Sequence, residues 1–258
     1  RYSNYLMACR LKPNTISTYM RMLRSIYNRG VDMHQAPYVH GLFRDVFTGV
    51  DTRQKKAIPI GELHMLLNKD PQSEKLRRTQ AIANLLFQFC GMPFSDLAHL
   101  EKSNLERGLL KYNRTKTGTP MSIEVLESAQ NAIGGLYNKS DARSSGYPDY
   151  LFRILSGAYK RNEEGAYREY QSALRRFNNE LKSLSRKLRL HSPVTSYTLR
   201  HSWATTAKYR GVPIEMISES LGHKSIKTTQ IYLKGFELEE RTKVNKLNYS
   251  YVCNFKML

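Results

Sequence analysis

Residues 196–234 read SYTLRHSWATTAKYRGVPIEMISESLGHKSIKTTQIYLK, and three groups of residues in this stretch stand at telling distances. Leu199-Arg200-His201 opens one helical segment, and Leu221-Gly222-His223 follows a second. The run Thr228-Thr229-Gln230-Ile231 then leads to Tyr232, nine residues beyond His223. Trp203, Ile214, Met216, Ile217 and Leu221 read as core, and His201 reads as a structural neighbour of Arg200. Taken singly, Tyr232 would be packing or surface, His223 a helix cap or satisfied core histidine, and Arg200 a surface arginine. Their joint order and spacing mark them as candidates for chemistry.

Upstream, Ala166–Leu190 has the period of a strongly basic amphipathic helix, apolar at Tyr167, Tyr170, Leu174, Phe177, Leu181 and Leu184. Ser140–Tyr150 is rich in Ser, Gly and Asp and reads as a loop. Two short strands, Leu109–Arg114 and Met121–Val125, flank the polar stretch Thr115–Pro120, a hairpin turn with Lys116 projecting near its rim. Helical patterns cover Ile60–Leu67, Thr79–Phe89 and Ser95–Leu100, the last entered through Gly91 and Pro93 with Ser95 as its cap. Nearer the start, Pro13 and Asn14 introduce a helix over Thr15–Asn28, apolar at Ile16, Tyr19, Met20, Leu23, Ile26 and Tyr27 and closed by Gly30. Its other face carries Thr18, Arg21 and Arg24, with Lys12 just before it. That face is either a solvated surface or a row of phosphate contacts. A short helix is expected at Gly41–Phe47, and the polar Asp51–Lys56 reads as a connection between domains.

Forty-one Lys plus Arg against 22 Asp plus Glu give the 258-residue chain a formal charge of +19. Such an excess suits a polyanionic partner, nucleic acid first and an acidic membrane second. No stretch nears the roughly 18 apolar residues of a membrane span, and no signal peptide is evident, so a cytosolic setting is expected. Cys9, Cys90 and Cys253 are odd in number and far apart, which argues for reduced thiols and against zinc or redox chemistry. The first residue is Arg1 and a helical pattern follows at once, so the expectation is a piece lacking N-terminal sequence. The fold expected is mainly α, a small helical domain followed by a larger, mostly helical domain with a small antiparallel sheet.

The Arg200-His201, Leu221-Gly222-His223 and Tyr232 pattern resembles the tyrosine recombinase and phage integrase family, in which these groups have the same order and separation. The resemblance extends through nearly the whole chain: the opening PNTISTYMRMLRSIYNRG looks like the family's helical core-binding domain, and Lys116 falls where its hairpin lysine lies. It implies a core-binding domain of SAM-like type at 1–51, truncated at its start, a linker at 52–58 and a catalytic domain at 59–258. It also implies a C-shaped clamp on double-stranded DNA, four protomers on two duplexes, a bacterial cytoplasm, and no metal or other cofactor. Apolar Leu238, Val244, Leu247, Tyr251, Val252 and Phe255 would dock the final segment on a neighbouring protomer or back on its own domain.

The residue types suit the implied chemistry. A phenol with a pKa of about 10 is neutral at neutral pH, so a nucleophilic tyrosine needs an electrophilic phosphate. A guanidinium grips two phosphate oxygens and stabilises the pentavalent transition state without a metal. By the resemblance Arg200 has that task, His223 donates a further hydrogen bond, Lys116 protonates the departing 5′ oxygen, and Tyr232 carries the 3′-phosphotyrosyl bond. Lys12, Thr15, Thr18, Arg21, Arg24 and Lys224 are the candidate DNA contacts.

Two departures stand out. Where the family has Gly-Leu-Arg-x-Ser-Glu-Leu, this chain has Gly91-Met92-Pro93-Phe94-Ser95-Asp96-Leu97, so Pro93 replaces the first arginine. Loss of one oxyanion donor typically costs about 2.7–4 kcal/mol. Arg114 is the candidate replacement, since an extended strand would set it on the same face as Lys116. Tyr197 stands where the family has a histidine three residues before the second arginine, and it offers one hydrogen bond but little basicity. Both departures resemble mobile-element integrases of Bacteroides-like bacteria. The competing readings are a catalytically weak DNA-binding relative and, in another class, an RNA-binding or membrane-surface protein.

Overall fold

The structure, a computed structural model, describes residues 2–49, 57–139, 146–233, 242 and 245–250, with the side chains of Ile231 and Tyr232 excepted. The chain divides into two compact units, Arg1–Gln54 and Lys55–Leu258. Of the expected linker 52–58, residues 52–56 lie outside the described ones. Ile58, at the end of that range, is buried, and its N–H donates to Ser202 Oγ at 2.9 Å.

In the first unit α1 (Tyr2–Ala8) packs on α2 (Pro13–Asp32), whose fixed proline φ suits the first helical turn. Leu6, Ile16 and Met20 are buried together, with Leu11, Phe43 and Val46 against them. Tyr27 lies on the Phe43 ring, and its hydroxyl donates to the Pro37 carbonyl at 2.9 Å. Three expectations change here. Gly30 does not close α2, because one helical glycine costs only about 1 kcal/mol; the reversal comes at His34, with φ +56°, and Gly30 O accepts from Gln35 N–H. Residues 41–47 form turns rather than a helix, beginning at Gly41 with φ +68°. Tyr19, Leu23 and Ile26 are exposed, so the buried stripe of α2 is narrower than its apolar pattern.

The second unit comprises α3 (Ile60–Asn68), α4 (Glu74–Gln88), α5 (Phe94–Ala98), a sheet, α6 (Glu127–Leu136), α7 (Glu164–Lys187), α8 (Ser196–Tyr209), α9 (Ile214–Ser220) and α10 (Ile226–Tyr232). The sheet is antiparallel in the order β1 (Leu105–Glu106), β2 (Leu109–Asn113), β3 (Pro120–Glu124), with Leu110 opposite Ile123 and Asn113 opposite Pro120. Helix α4 is the centre, packed against α3, α6, α7 and α8. Leu85, Leu86, Phe89, Leu97, Leu110, Phe177, Leu181 and Leu199 are buried in one core around it. Burying such side chains stabilises by about 1.5–3 kcal/mol each, which holds α8 and the hairpin to a common support.

Some boundaries differ from the sequence pattern. Helix α4 starts at Glu74 rather than Thr79, and β2 ends at Asn113, one residue before Arg114. Ser95 is not a cap: Pro93 is, and Ser95 lies inside α5. Tyr167 and Met216 are exposed, not core. Of the expected loop at 140–150, residues 140–145 lie outside the described residues, and Tyr150 pairs in a bridge with Glu101. Among the apolar residues of the final segment, Leu247 alone is described, exposed in a helical stretch at 245–250.

Candidate active site

Thr195 fixes where α8 begins. Its Oγ1 accepts from Thr198 N–H at 3.1 Å, while Thr198 Oγ1 accepts from Thr195 N–H at 2.8 Å, a reciprocal cap that satisfies two backbone donors. Arg200 follows one turn later and is buried. Its guanidinium donates to Gly91 O at 2.9 Å and to Leu221 O at 2.6 Å, and its Nη2 lies 3.1 Å from His223 Nε2. Gly91 has φ +64°, and a Cβ there would stand 3.2 Å from Trp203 Cβ and 3.3 Å from Arg200 Cα. A glycine lets the α4–α5 turn come this close to α8.

Gly222 has the same role against the hairpin. With φ +65°, it leaves no room for a Cβ, which would meet Met121 Sδ at 2.8 Å and Arg114 Cγ at 2.9 Å. The hairpin turn therefore rests on the Leu221-Gly222-His223 corner. Lys116 is exposed on that turn, closed by Gly118 N–H donating to Arg114 O at 2.8 Å.

Arg114 corrects the strand argument. Its side chain is only 6% exposed whereas Lys116 is exposed, so the two do not share a face; strand alternation stops at Asn113. Arg114 Nε sits 2.8 Å from Asp96 Oδ2, and Nη1 donates to the Leu221 carbonyl, which thus accepts from Arg114 and Arg200 together. Asp96, 1% exposed at its side chain, also accepts from Thr115 N–H at 3.3 Å. Sequence reasoning gave Asp96 no site role, although a carboxylate at a core position of α5 called for a buried cation.

His223 is half-buried, with Nδ1 2.8 Å from the buried Thr229 Oγ1 of α10. Burial first, then the charges of Arg200, Arg114 and Lys116, lower its pKa to about 4. The ring is neutral at neutral pH, and the cations that keep it so favour an anion beside it.

Tyr197 is 43% exposed and packs edge-on against His201, ring centroids 4.9 Å apart, which puts its ring one helical turn from His201 on α8. Tyr232 is the last residue of α10, a helix packed on α9. Lys224 is exposed beside His223. In the first unit Lys12, Thr18, Arg21 and Arg24 are exposed and Thr15 is half-buried, with Arg21 Nη2 donating to Thr18 Oγ1 at 3.3 Å. No cluster of three or more His, Cys, Asp or Glu side chains fit to hold a metal occurs among the described residues. No described helix is long and apolar enough to cross a membrane.

Residues 60–238, which contain this whole arginine and histidine cluster, match the phage integrase family. The chain belongs to that family of site-specific tyrosine recombinases. A relative in Methanocaldococcus jannaschii, named "probable integrase/recombinase protein", is 27% identical over 250 residues, covering 93% of this chain and 72% of the relative. Tyrosine recombinase XerD of Halalkalibacterium halodurans is 30% identical over 190 residues; the match spans 70% of this chain and 57% of XerD. Among solved structures, the Tn1549 transposon integrase in complex with a circular intermediate DNA is similar with a TM-score of 0.67 at 15% identity, covering 95% of this chain and 83% of that one. At that identity the likeness is one of fold.

Proposed function

We propose that the protein cleaves and rejoins double-stranded DNA through a 3′-phosphotyrosyl bond on Tyr232, as a homotetramer that integrates or excises a mobile element. The observation that carries this reading is the convergence of Arg200 and Arg114 on the Leu221 carbonyl, with His223 Nε2 3.1 Å from Arg200 Nη2, next to the helix that ends in Tyr232. A scissile phosphate set there would receive charge-assisted hydrogen bonds from two guanidiniums, the electrostatic help that a neutral phenol requires of its target.

In this reading the Tyr232 hydroxyl gives up its proton to water as its oxygen bonds to phosphorus, the bond to the 5′ oxygen breaks, and Lys116 gives the departing oxygen a proton. Arg200 and His223 hold the non-bridging oxygens. Arg114 supplies the second guanidinium that Pro93 cannot, and Asp96 holds it in place. Tyr197 supports the site through His201. The helical unit at 1–51 is the core-binding domain, with Lys12, Thr15, Thr18, Arg21 and Arg24 on the phosphate backbone and Lys224 doing the same beside the active site. The relation to integrases of Bacteroides-like bacteria rests on Pro93 and Tyr197, and the transposon integrase among the structural neighbours accords with a mobile-element role.

One observation favours a weaker enzyme: Arg114 is already committed to Asp96. Covalent trapping on a nicked duplex separates the two readings. The wild type is expected to form an adduct stable to detergent, Tyr232→Phe none, and Arg114→Lys, which keeps the charge for Asp96 but loses the planar fork, about a hundredfold less. Tight, salt-sensitive DNA binding without any adduct would establish the weak relative instead.

A further inference from the structure

The hydrogen bond between His223 and Thr229 ties the histidine of the site to the helix that ends in Tyr232. Thr229 is 0% exposed, its Oγ1 is 2.8 Å from His223 Nδ1, and its carbonyl accepts from Leu233 N–H at 2.8 Å, completing the last turn of α10. On the opposite edge of the ring, Nε2 lies 3.1 Å from Arg200 Nη2. A guanidinium only donates. Nε2 must therefore accept, the proton of the neutral ring sits on Nδ1, and Nδ1–H donates to Thr229 Oγ1.

This tautomer is the opposite of the one that gives a phosphate oxygen a hydrogen bond from Nε2. To become a donor there, the ring must gain a proton at Nε2 or move its own across from Nδ1. The charged groups facing it are Arg200 from α8 and Arg114 and Lys116 from the hairpin, with Asp96 of α5 paired to Arg114. They keep the ring neutral until a phosphodiester brings a negative charge. Throughout, Nδ1 needs a partner able to accept in the protonated ring and to donate in the other tautomer. A hydroxyl does both.

The geometry points to Thr229 as a positioning residue that makes His223 a competent phosphate donor only when the helix bearing Tyr232 is docked. This rests on the roles given above to His223 and Tyr232. With α10 displaced, Nδ1 loses Oγ1 and the protonated ring loses its support. Activation of the phosphate and arrival of the nucleophile are thereby coupled, so an activated phosphate is not left open to water.

The test is the rate of adduct formation on a nicked duplex across pH 5.5–9 for wild type, Thr229→Val and Thr229→Ser. Valine keeps the shape and removes the hydroxyl. It is expected to slow adduct formation about 10–100-fold with duplex affinity unchanged, and to move the loss of rate at high pH about one unit lower, since the protonated ring lacks its acceptor. Serine is expected to restore rate and profile. A valine variant with wild-type rate and profile, or a serine variant as slow as valine, overturns the role of Thr229. Should valine fail to fold, the ¹⁵N shifts of the wild-type His223 ring decide: a proton on Nδ1 is expected, and one on Nε2 overturns the inference. Tyr232→Phe is run alongside, and an adduct persisting there would refute the underlying reading, independently of Thr229.

Discussion

Asp96→Asn should destabilise the second unit far more than its size suggests. The substitution keeps the shape of the side chain but leaves the guanidinium of Arg114, 6% exposed and 2.8 Å from Asp96 Oδ2, without its counter-charge. Removing one member of a buried ion pair costs about 3–5 kcal/mol, because the remaining charge stays desolvated. At roughly 2–4 °C per kcal/mol for a unit of this size, the melting point should fall by about 6–20 °C. Replacing both, as Asp96→Asn with Arg114→Met, removes the stranded charge and should recover most of the loss, a coupling of about 2 kcal/mol or more. The assay is urea unfolding followed by the fluorescence of Trp203, the one tryptophan, half-buried on α8 and so a reporter of this unit. A single-variant loss below about 1 kcal/mol, the range of exposed pairs, would refute the pairing as the anchor of Arg114.

Gly222→Ala should cost about 1–3 kcal/mol and most of the adduct yield, because φ +65° and the 2.8 Å approach to Met121 Sδ both exclude a Cβ; thermal melts check the first and trapping the second. Gly134→Ala, in α6 with nothing within 4 Å of its Cβ, should instead stabilise by about 0.5–1 kcal/mol. His223 binds its proton only near pH 4 when folded, against about 6.5 unfolded, so between those values the unfolded chain holds more protons. Its contribution to stability is fully present above pH 6.5 and is lost as pH falls toward 4, with a slope in urea midpoint that His223→Gln should lack. Duplex binding should weaken steeply with salt, and Arg21→Ala should reduce the slope of log K against log salt by about 1; an unchanged slope would make that face of α2 a solvated surface.

Most of the order of elements in residues 60–233 was legible because each long helix carries its apolar stripe at helical spacing. Helix α6 was not read, since Gly134 and Gly135 obscure it, yet Ala129, Ile133 and Leu136 recur at helical intervals and are buried. The two-residue β1 is too short for any periodic signal. Arg200, His223 and Tyr232 stood out because their order and spacing resemble the family's pattern, whereas the setting of Arg114 did not. Strand parity predicts a face only while the strand lasts, and the buried Asp96 claims Arg114 just past its end. Thr229 was invisible for a related reason: its value lies in a contact across α10 to His223 that its neighbours in sequence do not foretell.

The most direct measurement is the chemical identity of the linkage. The detergent-stable adduct formed on a nicked duplex is digested with trypsin and nuclease, and the nucleotide-bearing peptide is sequenced by mass spectrometry. The account predicts a 3′-phosphate ester on Tyr232 and on no other residue; a nucleotide on a different tyrosine, or cleavage with no covalent protein at all, would contradict it.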